Sequence, residues 1–148
     1  MTDYFFISSP LHVLMAANVS LQNPQNDKKA AVVSKSPAAG ARTAELLRRF
    51  PDLFGGVLDL SAGRAAAFAA LRAEFSRPGP ARLFAGNDRR IEFQFAMHLA
   101  SRGGPTPEGI YLDEGAVTYV GHKSMFRIAH RFLDPAFKKI RYGFWYRP

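Results

Sequence analysis

The chain has 148 residues, 47% of them hydrophobic and 22% charged, which fits one folded domain and excludes the compositions of disordered and fibrous chains. It contains no cysteine, so disulfides, thiolate metal sites and a cysteine nucleophile are excluded. Its 20 basic and 12 acidic residues give a net charge of +8, and the excess is concentrated in residues 123–148, where seven Lys and Arg face the single acid Asp134.

The run Tyr4-Phe5-Phe6-Ile7 followed by Ser8-Ser9-Pro10 has the composition of a buried strand entering a helix. Ser9 is expected to cap that helix, and Pro10 suits its first turn, where a missing N–H costs nothing. The helix is predicted over 11–21, with its apolar members Leu11, Leu14, Met15 and Val19 at helical spacing, and it ends before the polar turn Asn23-Pro24-Gln25-Asn26-Asp27. A second strand is predicted at 30–34, then a helix over 38–50 with Ala41, Ala44, Leu47 and Phe50 on or near one face. The third strand is 57–60, with Ser61 capping an alanine-rich helix that runs through Phe75 and closes at Pro78-Gly79-Pro80.

The same rhythm repeats with a fourth strand at 82–85, an exit turn Gly86-Asn87-Asp88, and a helix over 89–101 that stops at Gly103-Gly104-Pro105. The fifth strand, 109–112, runs directly into Asp113-Glu114-Gly115. Beyond it the pattern weakens to a short strand at 117–120 and short helices at 122–132 and 134–141. Strands alternating with helices of this length require crossover connections, which are right-handed and put helices on both faces of a parallel sheet. The expected fold is therefore a Rossmann-like α/β domain with a parallel sheet of about five strands.

No apolar run reaches the roughly 18 residues of a spanning helix, because Pro10, His12, Asn18 and Gln22 interrupt the most hydrophobic stretch. The amino terminus carries Asp3, lacks a basic leader region and shows no small-residue cleavage site, so a cytoplasmic protein is expected.

In an open parallel sheet the binding crevice lies outside the carboxyl ends of the strands. Polar clusters follow three of the predicted strands: Ser8, Ser9 and His12 after the first, Gly86, Asn87, Asp88 and Arg89 after the fourth, and Asp113, Glu114 and Gly115 after the fifth. Two adjacent acids released by a glycine turn can place one carboxylate in a cleft while the other anchors the loop, since neighbouring side chains in extended backbone point to opposite sides. Asp113 is the candidate general base, with Glu114 and Gly115 as support; Ser8, Ser9, His12, Asn87, Asp88 and Arg89 are candidates for holding an acceptor. A solvated acidic turn is the ordinary alternative for an isolated Asp-Glu-Gly, and a helix cap with a local ion pair is the alternative for Asp88-Arg89. His12, His98, His122 and His130 have no metal-like spacing, so no metal site is expected. Glycine-rich phosphate loops and the Gly-x-Ser-x-Gly elbow are also missing from the sequence.

Ile110-Tyr111-Leu112-Asp113-Glu114-Gly115, followed by Tyr119, resembles the D/E-D/E-G motif of bacterial sialyltransferases of the polysialyltransferase and lipooligosaccharide sialyltransferase type. Tyr4-Phe5-Phe6-Ile7-Ser8-Ser9-Pro10-Leu11-His12 is similar to the opening strand and Ser/Thr-Pro-Leu turn of that group. Phe84-Ala85-Gly86-Asn87-Asp88-Arg89 is similar to the turn of its polysialyltransferase-like members. The resemblance implies a two-domain GT-B fold of which 1–148 is the amino-terminal, acceptor-side domain. It further implies Asp113 as the base that deprotonates the acceptor hydroxyl, CMP-sialic acid as donor, and no metal or other cofactor. The family's second domain supplies a His-Pro motif that contacts the donor phosphate. This sequence has no His-Pro dipeptide, so the chain alone is expected to be inactive and to need a separate donor-binding domain or subunit.

The segment 121–148 is read as a basic, aromatic interdomain tail that ends in Phe144-Trp145-Tyr146. Its charge suits an anionic glycan or the inner-membrane surface, giving a peripheral association, and its aromatic residues suit packing on a partner domain. No nucleic-acid-binding motif accompanies the charge, so nucleic acid is not an expected partner. A rival reading is a non-catalytic Rossmann-like module that binds a glycan or a subunit.

Overall fold

The computed structural model describes residues 1–77, 79–86, 90–102, 106–112, 139–141 and 144. The chain divides into two units, 1–112 and 113–148. The first unit alternates strictly between strands and helices: β1 (Thr2–Ile7), α1 (Pro10–Gln22), β2 (Asp27–Val32), α2 (Pro37–Arg48), β3 (Gly56–Asp59), α3 (Arg64–Glu74), β4 (Ala81–Ala85), α4 (Ile91–Ala100) and β5 (Glu108–Tyr111). All neighbouring strands pair in parallel, in the order β3-β2-β1-β4-β5, so the unit is a Rossmann-like α/β fold. In the second unit, Lys139, Ile140 and Arg141 are helical and Phe144 is buried. The rest of the strand and helices expected over 117–141, and most of the basic tail, lie outside the described residues.

β1 is central, hydrogen-bonded to β2 on one side and β4 on the other, and is buried on both faces. That double burial explains its continuous apolar run. Alternation along the strand sends Phe5 and Ile7 into a cluster with Ala16 of α1, Ala44 and Leu47 of α2, and Phe54, Phe84 and Leu112. Phe5 stacks on Phe84 at 4.6 Å and meets Phe54 edge-on at 5.9 Å. On the opposite face Tyr4 contacts Phe75 at the end of α3, and Phe6 meets Phe93 of α4 edge-on at 5.4 Å. Helices α3 and α4 pack together there through stacked Phe68 and Phe95, 4.1 Å apart.

Two polar clusters fix the amino side of the sheet. Asp3 is fully buried and faces Arg82 across the β1–β4 register; Nε of the guanidinium donates to Oδ1 at 2.8 Å and Nη2 to Oδ2 at 2.7 Å, while Asn26 Nδ2 adds a third donor at 3.1 Å. The pairing with Asp3 raises the already high pKa of Arg82 and keeps it charged. Nearby, Glu74 accepts from the Tyr4 hydroxyl at 2.8 Å and pairs with Lys29. This cluster accounts for the start of β2, which begins at Asp27 rather than at 30. Lys28 and Lys29 extend the strand because their long side chains reach polar partners at its end, Lys28 on the Pro24 carbonyl and Lys29 on Glu74.

Three local expectations are corrected. The buried face of α1 is His12, Ala16 and Ser20, whereas Leu11, Leu14 and Leu21 are 47%, 68% and 70% exposed. Of the four residues expected to face inward, Met15 and Val19 do pack against the core, partly buried, while Leu11 and Leu14 do not; the helix is apolar nearly all round, so spacing alone could not fix the face. Ala41 and Phe50 are exposed, and the buried face of α2 is Gly40, Ala44 and Leu47. Ser61 does not cap α3: the N-cap is Gly63, and Ser61 turns back onto Asp59.

Replacing Asp3 with Ala leaves Arg82 and Asn26 without their acceptor, and is expected to lower unfolding free energy by about 3 kcal/mol in denaturant titration. Burial first, and then the bond and charge of Glu74, hold the Tyr4 phenol above its ordinary pKa. The unfolded chain therefore loses this proton first, so the Tyr4 contribution is complete below about pH 10 and declines as pH rises beyond it. Tyr4→Phe should lose stability less steeply than the parent across that alkaline range.

Candidate functional site

The chain reverses its direction of winding between β1 and β4, the position where open α/β sheets form a crevice at their carboxyl edge. The strand exits are level along that edge. Val33 N–H donates to the Ile7 carbonyl at 2.8 Å, Leu60 N–H to Val32 at 2.9 Å, and Leu112 N–H to Ala85 at 2.9 Å. The strands leading into Ser8, into residues 87–89 and into Asp113 are thus adjacent and co-directional. Asn87, Asp88, Arg89, Asp113, Glu114 and Gly115 themselves lie outside the described residues.

Ser8, Ser9 and His12 form one hydrogen-bonded turn. Ser9 is the N-cap of α1, its Oγ accepting from His12 N–H at 3.3 Å, and Pro10 opens the helix. The His12 ring is completely enclosed, and its Nδ1 accepts from Ser8 N–H at 3.1 Å with the Ser8 hydroxyl at 3.2 Å. A backbone N–H can only donate, so the network assigns the ring as neutral with its proton on Nε2. His12 holds the turn and Ser8 is the exposed member that meets solvent. His98 lies near the end of α4, its ring 6.5 Å from that of Phe95.

A cleft of about 500 Å³ opens on the same edge, toward β3. Ser34 and Lys35 line it after β2, Leu60, Ser61, Gly63 and Arg64 after β3, and Arg90, Ile91 and Glu92 at the start of α4. Its floor depends on a tight crossing. Ser61 accepts no cap role because its N–H donates to Asp59 Oδ1 at 2.9 Å and its hydroxyl bonds the same oxygen and lies 3.4 Å from the Pro37 carbonyl. Gly40 of α2 rests against it so closely that a Cβ there would stand 2.1 Å from Ser61 Oγ. Gly63 has φ +110°, a conformation open to glycine, and among the described residues α3 has neither a side-chain cap nor an acid in its first turn.

Lys35, Arg64 and Arg90 were missed as candidates from the sequence, although each follows a strand exit. Applying the edge rule to every strand, rather than to those followed by acids or small polar residues, finds them. Among the described residues there is no group of three or more His, Asp or Glu placed to hold a metal, and no helix long and apolar enough to cross a membrane.

Gly40→Ala is expected to displace Ser61 and cost about 1–3 kcal/mol of stability. Combining it with Ser61→Gly should recover part of that loss in a thermal melt, because the second change reopens the space.

Comparison with models of known families, with curated proteins and with solved structures finds no match.

Proposed function

We propose that this chain is the acceptor-side half of a bacterial CMP-sialic-acid-dependent glycosyltransferase, with Asp113 as general base. The observation that supports the reading most is the adjacency of β1, β4 and β5, whose carboxyl ends are level and lead into the three segments that resemble the sialyltransferase motifs. In the reaction, the Asp113 carboxylate takes the proton of an acceptor hydroxyl as its oxygen bonds to the anomeric carbon of the sugar. The bond from that carbon to the phosphate oxygen breaks, and CMP departs with the electron pair. An aspartate with a reference pKa of about 4 is a weak base at neutral pH, so its effect comes from placement against an oxygen that becomes acidic as it attacks.

The donor and its leaving group fall to a second domain bearing the His-Pro motif, and no metal is required. The glycan acceptor meets the carboxyl edge, where Ser8 is exposed and His12 holds its turn. The basic segment 121–148 suits contact with the donor domain or with the anionic inner face of the cytoplasmic membrane. A second reading is a non-catalytic module that binds a glycan or a subunit. An in-frame or neighbouring reading frame encoding a His-Pro domain would separate the two.

The chain alone should give no sialic acid transfer from CMP-sialic acid, and adding the His-Pro domain should give transfer that Asp113→Ala abolishes without changing the circular dichroism spectrum. Transfer by the isolated chain, or a near-normal rate in the variant, would overturn the proposal.

A further inference from the structure

Another surface cleft, about 550 Å³ beside Lys29, Glu74 and Arg77, lies where Tyr4, Lys29 and Glu74 already satisfy one another. The carboxyl-edge cleft differs in its chemistry. Three cationic side chains line it from three separate segments: Lys35 after β2, Arg64 at the first residue of α3 and Arg90 before α4. Among the described residues Lys35 and Arg90 have no ion-pair partner, although all three cations share the cleft with the carboxylate of Glu92. Oε2 of Glu92 is buried and makes no hydrogen bond among the described residues. Lys35 and Arg90 therefore bring two positive charges without an ion-pair partner among the described residues to one cleft from separate segments, and an anion between them would offset their repulsion. The Ser34 side chain and the first turn of α3 add a hydroxyl and the positive end of a helix to the same wall.

We infer that this cleft binds the oxyanion of a small hydroxyl-bearing molecule, with Lys35 and Arg90 holding the anionic group and Glu92 accepting from a hydroxyl. A carboxylate and a phosphate share this chemistry, and a forked guanidinium receives either in bidentate fashion. Its anion-holding residues Lys35 and Arg90 follow β2 and β4, whereas Asp113 follows β5. The inference stands on charge placement in the first unit and does not depend on Asp113.

Backbone amide shifts in the isotope-labelled chain would be followed while glucuronic acid, glucose 6-phosphate and uncharged glucose are added in turn. Saturable shifts at Ser34–Lys35, Gly63–Ala65 and Arg90–Glu92 are expected with one or both anions and not with glucose, and the two anions separate a carboxylate site from a phosphate site. Loss of one charge-assisted contact should weaken binding about tenfold in Lys35→Gln and again in Arg90→Gln, both at positions outside the packed core. Glucose binding as well as the anions, shifts confined to other surfaces, no saturable shift with either anion, or unchanged affinity in the folded Lys35→Gln variant would overturn the inference.

Discussion

The pairing of Asp3 with Arg82 is the constraint on which the carboxyl edge depends. A fully buried carboxylate is tolerable only with its charge matched and its oxygens hydrogen-bonded, and Arg82 and Asn26 meet both demands. Because Asp3 and Arg82 are register partners, the bond holds β1 and β4 against sliding, and a one-residue slip would turn every side chain of the strand to the wrong face. The same alignment stacks Phe5 on Phe84 and brings the two strand ends level at the opposite edge. A salt bridge at one edge of the sheet therefore determines which loops are neighbours at the other.

Much of this architecture was legible in the sequence because its signals were local. The apolar run 4–7, the Ser9-Pro10 helix start and the alternation of strand with helix are read within a few residues, and together they imply a parallel sheet. Details that depend on partners distant in sequence were not legible. Lys29 looks unlike a strand residue until Glu74 is beside it, 45 positions away. Ser61 looks like a cap until Gly40 is seen pressed against it. The inner face of α1 was hidden for a different reason: Leu11 and Leu14 are more hydrophobic than Ala16 and Ser20, but Ala16 and Ser20 are buried while the two leucines are exposed.

The candidate site divides in the same way. Ser8, Ser9 and His12 stood out by position after a strand, and their hydrogen bonds show how the group works: the histidine is a neutral brace, and the exposed hydroxyl belongs to Ser8. The basic cleft left no compact motif, since Lys35, Arg64 and Arg90 come from three crossovers and meet only after the sheet has ordered β3-β2-β1-β4. A cluster of cations assembled from scattered segments is a property of topology. It is invisible to spacing rules that look along a single element.

The small-residue seam under α1 ties the interior to the surface chemistry. Ala16 and Ser20 are buried on the side of α1 that faces the sheet, and the first turn of the same helix carries His12 and, through it, the Ser8-Ser9 bend. A bulkier side chain in mid-helix would tilt the helix about its far end and move the bend at the crevice. Helix α1 thus joins the buried Ala16 to the exposed Ser8 hydroxyl through the bonds of His12.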